Sequence, residues 1–206
     1  MSREYNKRVM KIRIEQVALA LLKEKSYSLV SMDEIAKHSN ITKRTLYQYF
    51  PSKSTLFVSL FENYLKRLHA EIAKVMNEDS PSGSKLNAAI RTLFAFSNET
   101  PVYMRLFRIV DITEVRDEIP VELLERIRLW NQGIRDQFLK GLQAEEVSRF
   151  TAGYSPELLA HLIEAVNRGI FFQTFGELQM PNTSKVTPKD LQEMFLNLIE
   201  LAIGRQ

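Results

Sequence analysis

The sequence predicts an all-α protein of about nine helices. Apolar residues recur at helical spacing through most of the 206 residues, and capping residues precede several of these segments. Neither strand alternation nor an Asn-Gly hairpin turn occurs. We divide the chain into a helix-turn-helix domain over 1–52 and a larger helical domain over 53–206, with a fourth helix over about 52–76 that links them.

Composition excludes several classes of protein. With no cysteine and three scattered histidines, we expect no disulfide and no metal site. No apolar run is long enough for a bilayer span, and the charged N-terminus lacks the apolar centre of a signal peptide, so we expect a cytoplasmic protein. Walker, nucleophile-elbow, dinucleotide and paired Glu-x-x-His motifs are missing, so we expect neither an enzyme nor a cofactor.

Charge is distributed unevenly along the chain. Residues 1–55 hold eleven Lys or Arg against five Asp or Glu, a net charge of +6, whereas the whole chain carries +3. A basic N-terminal domain beside a mildly acidic body favours a polyanion-binding head, although a solvated basic surface would give the same count.

The first helix is predicted over about residues 4–25. Its apolar positions recur at helical spacing, and "KEKSYS" then breaks the pattern. The positions that we assign to its stripe are Val9, Ile12, Val17, Ala20 and Leu21.

Two short helices follow, each with a capping signal. "SMDE" is a capping box in which Ser31 and Glu34 satisfy each other's backbone amides. Asn40 can end the second helix in the left-handed conformation, and Thr42 caps a third helix that runs to about Phe50. Ser52 caps the fourth helix. Two capped helices joined by a tight turn predict a helix-turn-helix.

Rotation of about 100° per residue predicts which face of the third helix is exposed. Leu46, Tyr49 and Phe50 fall together and face inward. Arg44 and Gln48 lie opposite, flanked by Lys43, Thr45 and Tyr47. An arginine can bind guanine and a glutamine adenine in a major groove, and Lys53 at the start of the fourth helix suits a phosphate. A solvated helix is the alternative.

"MDEIAKHSNITKRTLYQYFPSKSTLF" resembles the tetracycline-repressor (TetR) family of bacterial transcription regulators. The resemblance covers roughly residues 5–65 and includes Thr45, Leu46, Tyr47, Tyr49, Phe50, Ser52 and Lys53. It implies a homodimer that binds an operator through two heads and that a small molecule in the body releases. It also implies base contacts from Lys43, Arg44 and Tyr47, and phosphate contacts from Thr45, Tyr49 and Lys53. Ser39-Asn40 departs from the family's usual Ala-Gly.

The body is read from periodicity alone. We predict a fifth helix over about 85–98, a sixth over "TPVYMRLFRIV", a long seventh from about 121, an eighth over "SPELLAHLIEAVNRGIFFQTFGEL" and a ninth over "PKDLQEMFLNLIELAIGRQ". The last two are apolar over broad stripes, which predicts either ordinary core helices or half of a four-helix dimer interface. With the resemblance we favour the interface, formed by Leu158, Leu162, Ile163, Val166, Ile170, Leu191, Phe195, Leu198 and Ala202.

Large rings from several body helices predict a cavity for a mostly apolar small molecule. The residues that we assign to it are Phe94, Phe107, Trp130, Asn131, Phe138, His161, Glu164, Arg168 and Phe171. Two other interpretations stay open: Asn131 as a satisfied core amide, and Glu164 with Arg168 as an ion pair on a solvated face. A body without a cavity would favour a DNA-binding regulator controlled by a protein partner.

Overall fold

Ten α-helices are present in the part of the chain that the computed structural model describes, namely residues 3–99, 101–111, 113–144, 147, 153–175 and 186–202. They are α1 Arg3–Glu24, α2 Met32–His38, α3 Lys43–Tyr49, α4 Lys53–Met76, α5 Ser82–Glu99, α6 Pro101–Asp111, α7 Thr113–Asp117, α8 Val121–Gln143, α9 Pro156–Phe175 and α10 Pro188–Ala202. The all-α prediction is therefore confirmed. The short α7 lies in a segment that we expected only to connect helices. Within the described residues, no helix is long and apolar enough to cross a membrane.

The chain packs into two compact units. The first contains residues 1–64 and 102–127, and the second contains residues 65–101 and 128–206. The helix-turn-helix therefore packs in one unit with the first half of α4 and the segment that includes α6 and α7. These units group residues by packing, and the functional division at residue 52 stays a prediction.

The predicted caps of the first unit are present. Ser31 accepts from the amide of Glu34, and Thr42 accepts from the amide of Thr45 at 3.1 Å. At the start of α4, Ser52 accepts from the amide of Thr55 at 3.0 Å. Each bond satisfies an amide that the first turn of a helix leaves free. Thus short helices with little core of their own begin at defined residues.

The turn between α2 and α3 is closed by Asn40, whose φ of 54° is left-handed as predicted. The backbone amide of Asn40 donates to the carbonyl of Lys37, and the backbone amide of Ile41 donates to the carbonyl of Ala36, both at 3.1 Å. These two bonds form a Schellman motif, which ends α2 abruptly. Asparagine tolerates this conformation better than most residues, which explains why the turn forms without glycine.

The core of the first unit corrects our prediction for α1. Val9 and Ile12 are about half exposed, and Ala20 is exposed. Of the predicted stripe, Leu21 is buried and Val17 half-buried. Ile14, Ala18 and Leu22, which we did not predict, complete the buried side together with Leu21 at helical intervals. The prediction for Val9, Ile12 and Ala20 was wrong because apolar residues lie on several sides of α1, so that residue type alone does not identify the buried face. Helix α1 packs against α2, in which Ile35 is fully buried, and α2 packs against α3, in which Leu46 is fully buried.

The second unit joins α5 to α9 and α10, and polar pairs fix its register. Asn98 and Gln192 exchange two amide hydrogen bonds, at 2.9 and 3.2 Å. Ser97 donates to the buried Asn167 of α9 at 3.2 Å. Because buried amides cost free energy unless they are paired, these bonds restrict how α5 packs against both helices.

Candidate nucleic-acid interface

The exposed face of α3 has the residues that the helical rotation predicted. Leu46 and Phe50 are buried, which holds α3 against the rest of the first unit. Arg44 and Gln48 are exposed, and Tyr47 is 41% exposed. A guanidinium, an amide and a phenol thus point away from the core on a helix that both a cap and a tight turn fix. This is the geometry that reading base edges in a major groove requires.

The flanking residues of α3 are less free than the sequence suggested. Lys43 forms an ion pair with Asp33 of α2 at 2.8 Å, and the bond to this carboxylate raises the pKa of Lys43. Both side chains are more than half exposed, so that breaking the pair for DNA costs little. Thr45 is half-buried, with its hydroxyl 2.8 Å from that of Thr42. Tyr49 is also half-buried.

Lys53 has an internal role that sequence reasoning missed. Its ammonium donates to the carbonyl oxygens of Tyr27 and Val30, at 2.9 and 3.0 Å, and lies 4.2 Å from the centre of the Tyr27 ring. Burial lowers the pKa of Lys53. A lysine has three donors, and two are used here, so one donor and the neighbouring helix amides are left for a phosphate.

The predicted dimer residues divide between two faces. Leu158, Leu162 and Leu198 are exposed, at 56, 46 and 54%. Val166 and Leu191 are half-buried. The structure does not put Ile163, Ile170 and Phe195 on this surface, because the chain's own core already buries them. The side chain of Ala202 is not among those described.

Further residues of the two apolar stripes are also exposed. Gly169 of α9 and Met194 and Leu201 of α10 are exposed, the last two at 54 and 67%. Helical rotation puts Gly169 in line with Leu158 and Leu162, and puts Met194 and Leu201 beside Leu198. We call the exposed residues Leu158, Leu162, Gly169, Met194, Leu198 and Leu201 the α9–α10 apolar face.

The residues predicted to form an effector site are divided between the two units. Phe107 belongs to the first unit and packs edge-on against Phe61, with ring centres 4.3 Å apart. Phe94 and Phe138 are buried in the second unit, where Phe94 packs against Phe195. Phe94 and Phe138 thus belong to the core of the second unit, whereas Phe107 is half-buried. The side chain of Phe171 is not among those described.

The polar strip of α9 also differs from its prediction. His161 and Arg168 are exposed, so neither lines an enclosed site within the second unit. Glu164 pairs with Arg135 of α8 at 3.0 Å, and not with Arg168 four residues along α9. Spacing along the chain suggested a Glu164–Arg168 pair, but Glu164 pairs with an arginine on another helix. Sequence spacing cannot reveal such a partner.

Two residues of the predicted effector site remain accessible in the second unit. Trp130 and Asn131 of α8 are half-buried. The Trp130 ring lies 5.4 Å from that of His69 on α4, a residue that we did not predict. A Cβ at Gly133 would come within 3.0 Å of the His69 ring, so glycine permits the close approach of α4 and α8.

Residues 14–60 match the family profile described as bacterial regulatory proteins, tetR family. Along 193 residues the chain is 25% identical to the biofilm operon icaADBC HTH-type negative transcriptional regulator IcaR of Staphylococcus aureus strain Newman, which covers 92% of this chain and 98% of that protein.

Solved structures show the same fold. FadR from Bacillus subtilis, solved in complex with stearoyl-CoA, is 19% identical with a TM-score of 0.65 over 94% of this chain and 97% of its own. AibR, solved with isovaleryl coenzyme A and operator DNA, is 14% identical with a TM-score of 0.68 over 92 and 97%. The matched helix-turn-helix and the full-length relative are those of DNA-binding transcriptional regulators of the TetR family, to which this chain is similar, and the solved structures share its fold.

Proposed function

We propose that this regulator is a repressor that binds a palindromic operator as a homodimer and that a small, mostly apolar ligand releases. The observation that carries the DNA-binding part is the exposed face of α3, where Arg44, Tyr47 and Gln48 stand on a helix fixed by its cap and its turn. Repression is supported by IcaR, which is named as a negative regulator. Such a protein works in the cytoplasm, where the DNA is.

The α9–α10 apolar face supports dimerisation. Its leucine and methionine side chains are about half exposed or more, and they belong to two helices that pack against each other. Removing apolar surface from water contributes about 25 cal/mol per Å². Gly169 has no atom within 4 Å of a Cβ built on it, so the single chain does not require a glycine there. A partner helix that crosses closely at Gly169 does require one.

Dimerisation explains operator binding by geometry. One α3 reads only a few base pairs, whereas two heads related by a two-fold axis read two half-sites on one side of the duplex. Linking the two heads raises affinity because the second contact becomes intramolecular. Dissociation of the dimer is therefore expected to abolish tight operator binding while leaving weak, salt-sensitive binding to any duplex.

The ligand is supported by comparison and by one accessible site. FadR and AibR were solved with acyl-CoA molecules, which carry an apolar chain. In the second unit of this chain, the half-buried Trp130 and Asn131 offer a ring and an amide beside His69. A ligand that binds the DNA-free form about a hundredfold more tightly supplies about 2.7 kcal/mol for release.

Control by a protein partner is the second candidate. It is favoured by the placement of His161 and Arg168, which are exposed on α9 where a ligand cavity was expected. A partner would then dock on the polar strip of α9 and leave Trp130 unaffected.

One experiment tests both candidates. Duplexes that the protein selects from a random pool are sequenced and then used in titrations with stearoyl-CoA, isovaleryl-CoA and free fatty acids. We expect selected sites with two-fold symmetric halves, and a compound that changes Trp130 fluorescence and operator affinity over the same concentrations. No enriched sequence would contradict operator binding. Enriched sites that no such compound affects would favour the protein partner.

A further inference from the structure

The first three turns of α1 extend beyond the core of the first unit. Residues 4–9 and 11–13 are exposed and Met10 is half-buried, whereas Ile14 is the first fully buried residue. We call residues 4–13 the α1 extension. It contributes little to the core, so packing within the chain does not explain its sequence.

The α1 extension faces the recognition helix. Lys7 precedes the buried Ile14 by seven residues, or about two turns, so that both lie on the same side of α1. At Lys7 this side meets an open groove of about 790 Å³ that α1 shares with the C-terminal end of α3. The residues lining the groove are Glu4, Asn6, Lys7, Met10, Gln48 and Tyr49.

The extension is basic. Residues 4–13 contain Lys7, Arg8, Lys11 and Arg13 against one acidic residue, Glu4. Lys11 is partly engaged, since it lies 3.9 Å from Glu15 and 5.6 Å from the centre of the Phe50 ring. Among the described residues, no carboxylate pairs with Lys7. The ammonium beside the groove is thus available to an anion.

We infer that Asn6 and Lys7 bind the sugar-phosphate strand that borders the major groove entered by α3. This inference rests on the proposed reading of DNA by α3. The major groove of DNA is about 12 Å wide, so that α3 fills it almost completely. The α1 extension, which lies beside the end of α3, then stands next to one of the two phosphate strands. Lysine and asparagine side chains both donate to phosphate oxygens. The contact anchors each head outside the helix-turn-helix itself.

Glu4 makes the inference testable in both directions. Its carboxylate lines the same groove and repels a phosphate there. Replacement of Glu4 by glutamine should therefore strengthen DNA binding, whereas loss of Lys7 should weaken it. If the groove did not face DNA, the two substitutions would not be expected to change DNA affinity in opposite directions.

The test uses the full chain, a duplex that the protein selects from a random pool and a scrambled duplex of the same length. Lys7→Ala is compared with Lys23→Ala, since Lys23 is also exposed and lies at the opposite end of α1. Each lost phosphate contact lowers the slope of log K against log salt by about 0.9, which is roughly eightfold in affinity at 0.1 M salt. We expect this loss for Lys7→Ala on both duplexes and none for Lys23→Ala.

Equal salt slopes for Lys7→Ala and Lys23→Ala would overturn the inference, and so would weaker binding by Glu4→Gln. Circular dichroism checks that the variants fold, which we expect because none of these positions is buried. Failure of the proposed reading by α3 is separable: Arg44→Ala would then weaken the selected and scrambled duplexes equally, whatever Lys7→Ala does. If Arg44→Ala is sequence-selective while Lys7→Ala has no effect, only the inference on the α1 extension fails.

Discussion

Two of the helical faces that are exposed in the described part of the chain differ in chemistry. The exposed face of α3 is polar and cationic, with Arg44 and Gln48 at its centre. The α9–α10 apolar face consists mainly of leucine and methionine. A polar face is well hydrated when free, so it can bind and release a partner. Covering an apolar face, in contrast, removes it from water and lowers the free energy. From this difference and the proposed function, we expect DNA to be the reversible partner and a second copy of the chain to be the lasting one.

The largest expected effect comes from placing a charge in the lasting interface. Leu198→Glu would bury a carboxylate against its symmetry mate, so the dimer should dissociate and operator affinity should fall by roughly 10²–10⁴-fold. Sedimentation and operator titration measure the two effects.

Leu129→Glu is the matched control, because Leu129 of α8 is also a half-exposed leucine, at 51%, but lies outside the α9–α10 apolar face. We expect Leu129→Glu to remain a dimer. If both variants stay dimeric, or if the unaltered protein sediments as a monomer, the comparison between a lasting and a reversible face fails.

The reversible face is tested by Arg44→Ala. Because an arginine bound to a base edge discriminates between sequences, its loss should cost about 1–3 kcal/mol on the selected duplex and relax selection at one position of the half-site. Scrambled DNA of the same length should lose much less. An equal loss on both duplexes would show that Arg44 contacts only the backbone.

The sequence predicted the buried and exposed sides of α3 correctly but those of α1 only in part, for a physical reason. In α3 the cap at Thr42 and the turn at Asn40 fix both the start and the phase of a seven-residue helix, so rotation alone identifies Arg44 and Gln48. In α1 the apolar Val9 and Ile12 occur on the exposed side, and a long helix has no local signal that separates them from the core residues.

The same ambiguity affected the body. Helix α9 is apolar on two sides, and composition does not reveal that Ile163 faces the core while Leu162 faces outward. Partners distant in sequence were also beyond prediction, such as Arg135 for Glu164 and the Tyr27 carbonyl for Lys53. Pairing of this kind depends on tertiary packing, which local spacing does not encode.

Lys53→Met tests whether Lys53 stabilises the fold, binds DNA, or does both. Loss of its two bonds leaves the carbonyls of Tyr27 and Val30 without this donor, so we expect about 1–2 kcal/mol less stability in denaturant unfolding. If Lys53 also binds a phosphate, the salt slope should fall as well. A variant with unchanged stability would contradict the internal role.

Gly169→Ala should separate the single chain from the dimer. Alanine stabilises a helix interior by roughly 0.5–1 kcal/mol relative to glycine, and nothing in the single chain obstructs the added methyl group. The same methyl should obstruct a closely crossing partner helix. We therefore expect the dimer to dissociate at a higher protein concentration than the unaltered dimer does, and the monomer to be more stable. A tighter dimer would show that α9 does not cross its mate at Gly169.

The smallest expected effect is one of pH on the first unit. The hydrogen bond from Lys25 lowers the pKa of Glu34, with a smaller contribution from the backbone of Ser31. A carboxylate whose pKa is lower in the folded state adds stability above its unfolded pKa, and this stability is lost as pH falls through the folded value. Glu34→Gln should therefore destabilise the protein at neutral pH and have no effect in acid.

Denaturant midpoints measured from neutral pH down into the acid range check this expectation. Glu24→Gln is the control, since Glu24 is exposed and makes no ion pair among the described residues. A constant difference between Glu34→Gln and the unaltered protein across the range would contradict it.

A crystal structure of the protein bound to a duplex that it selects itself is the most direct test of the two faces. We expect two chains related by a two-fold axis, with both α9–α10 apolar faces buried against each other and each Arg44 at a base edge in the major groove. A single chain on the duplex, or α3 outside the groove while Leu162 and Leu198 remain exposed to solvent, would contradict it.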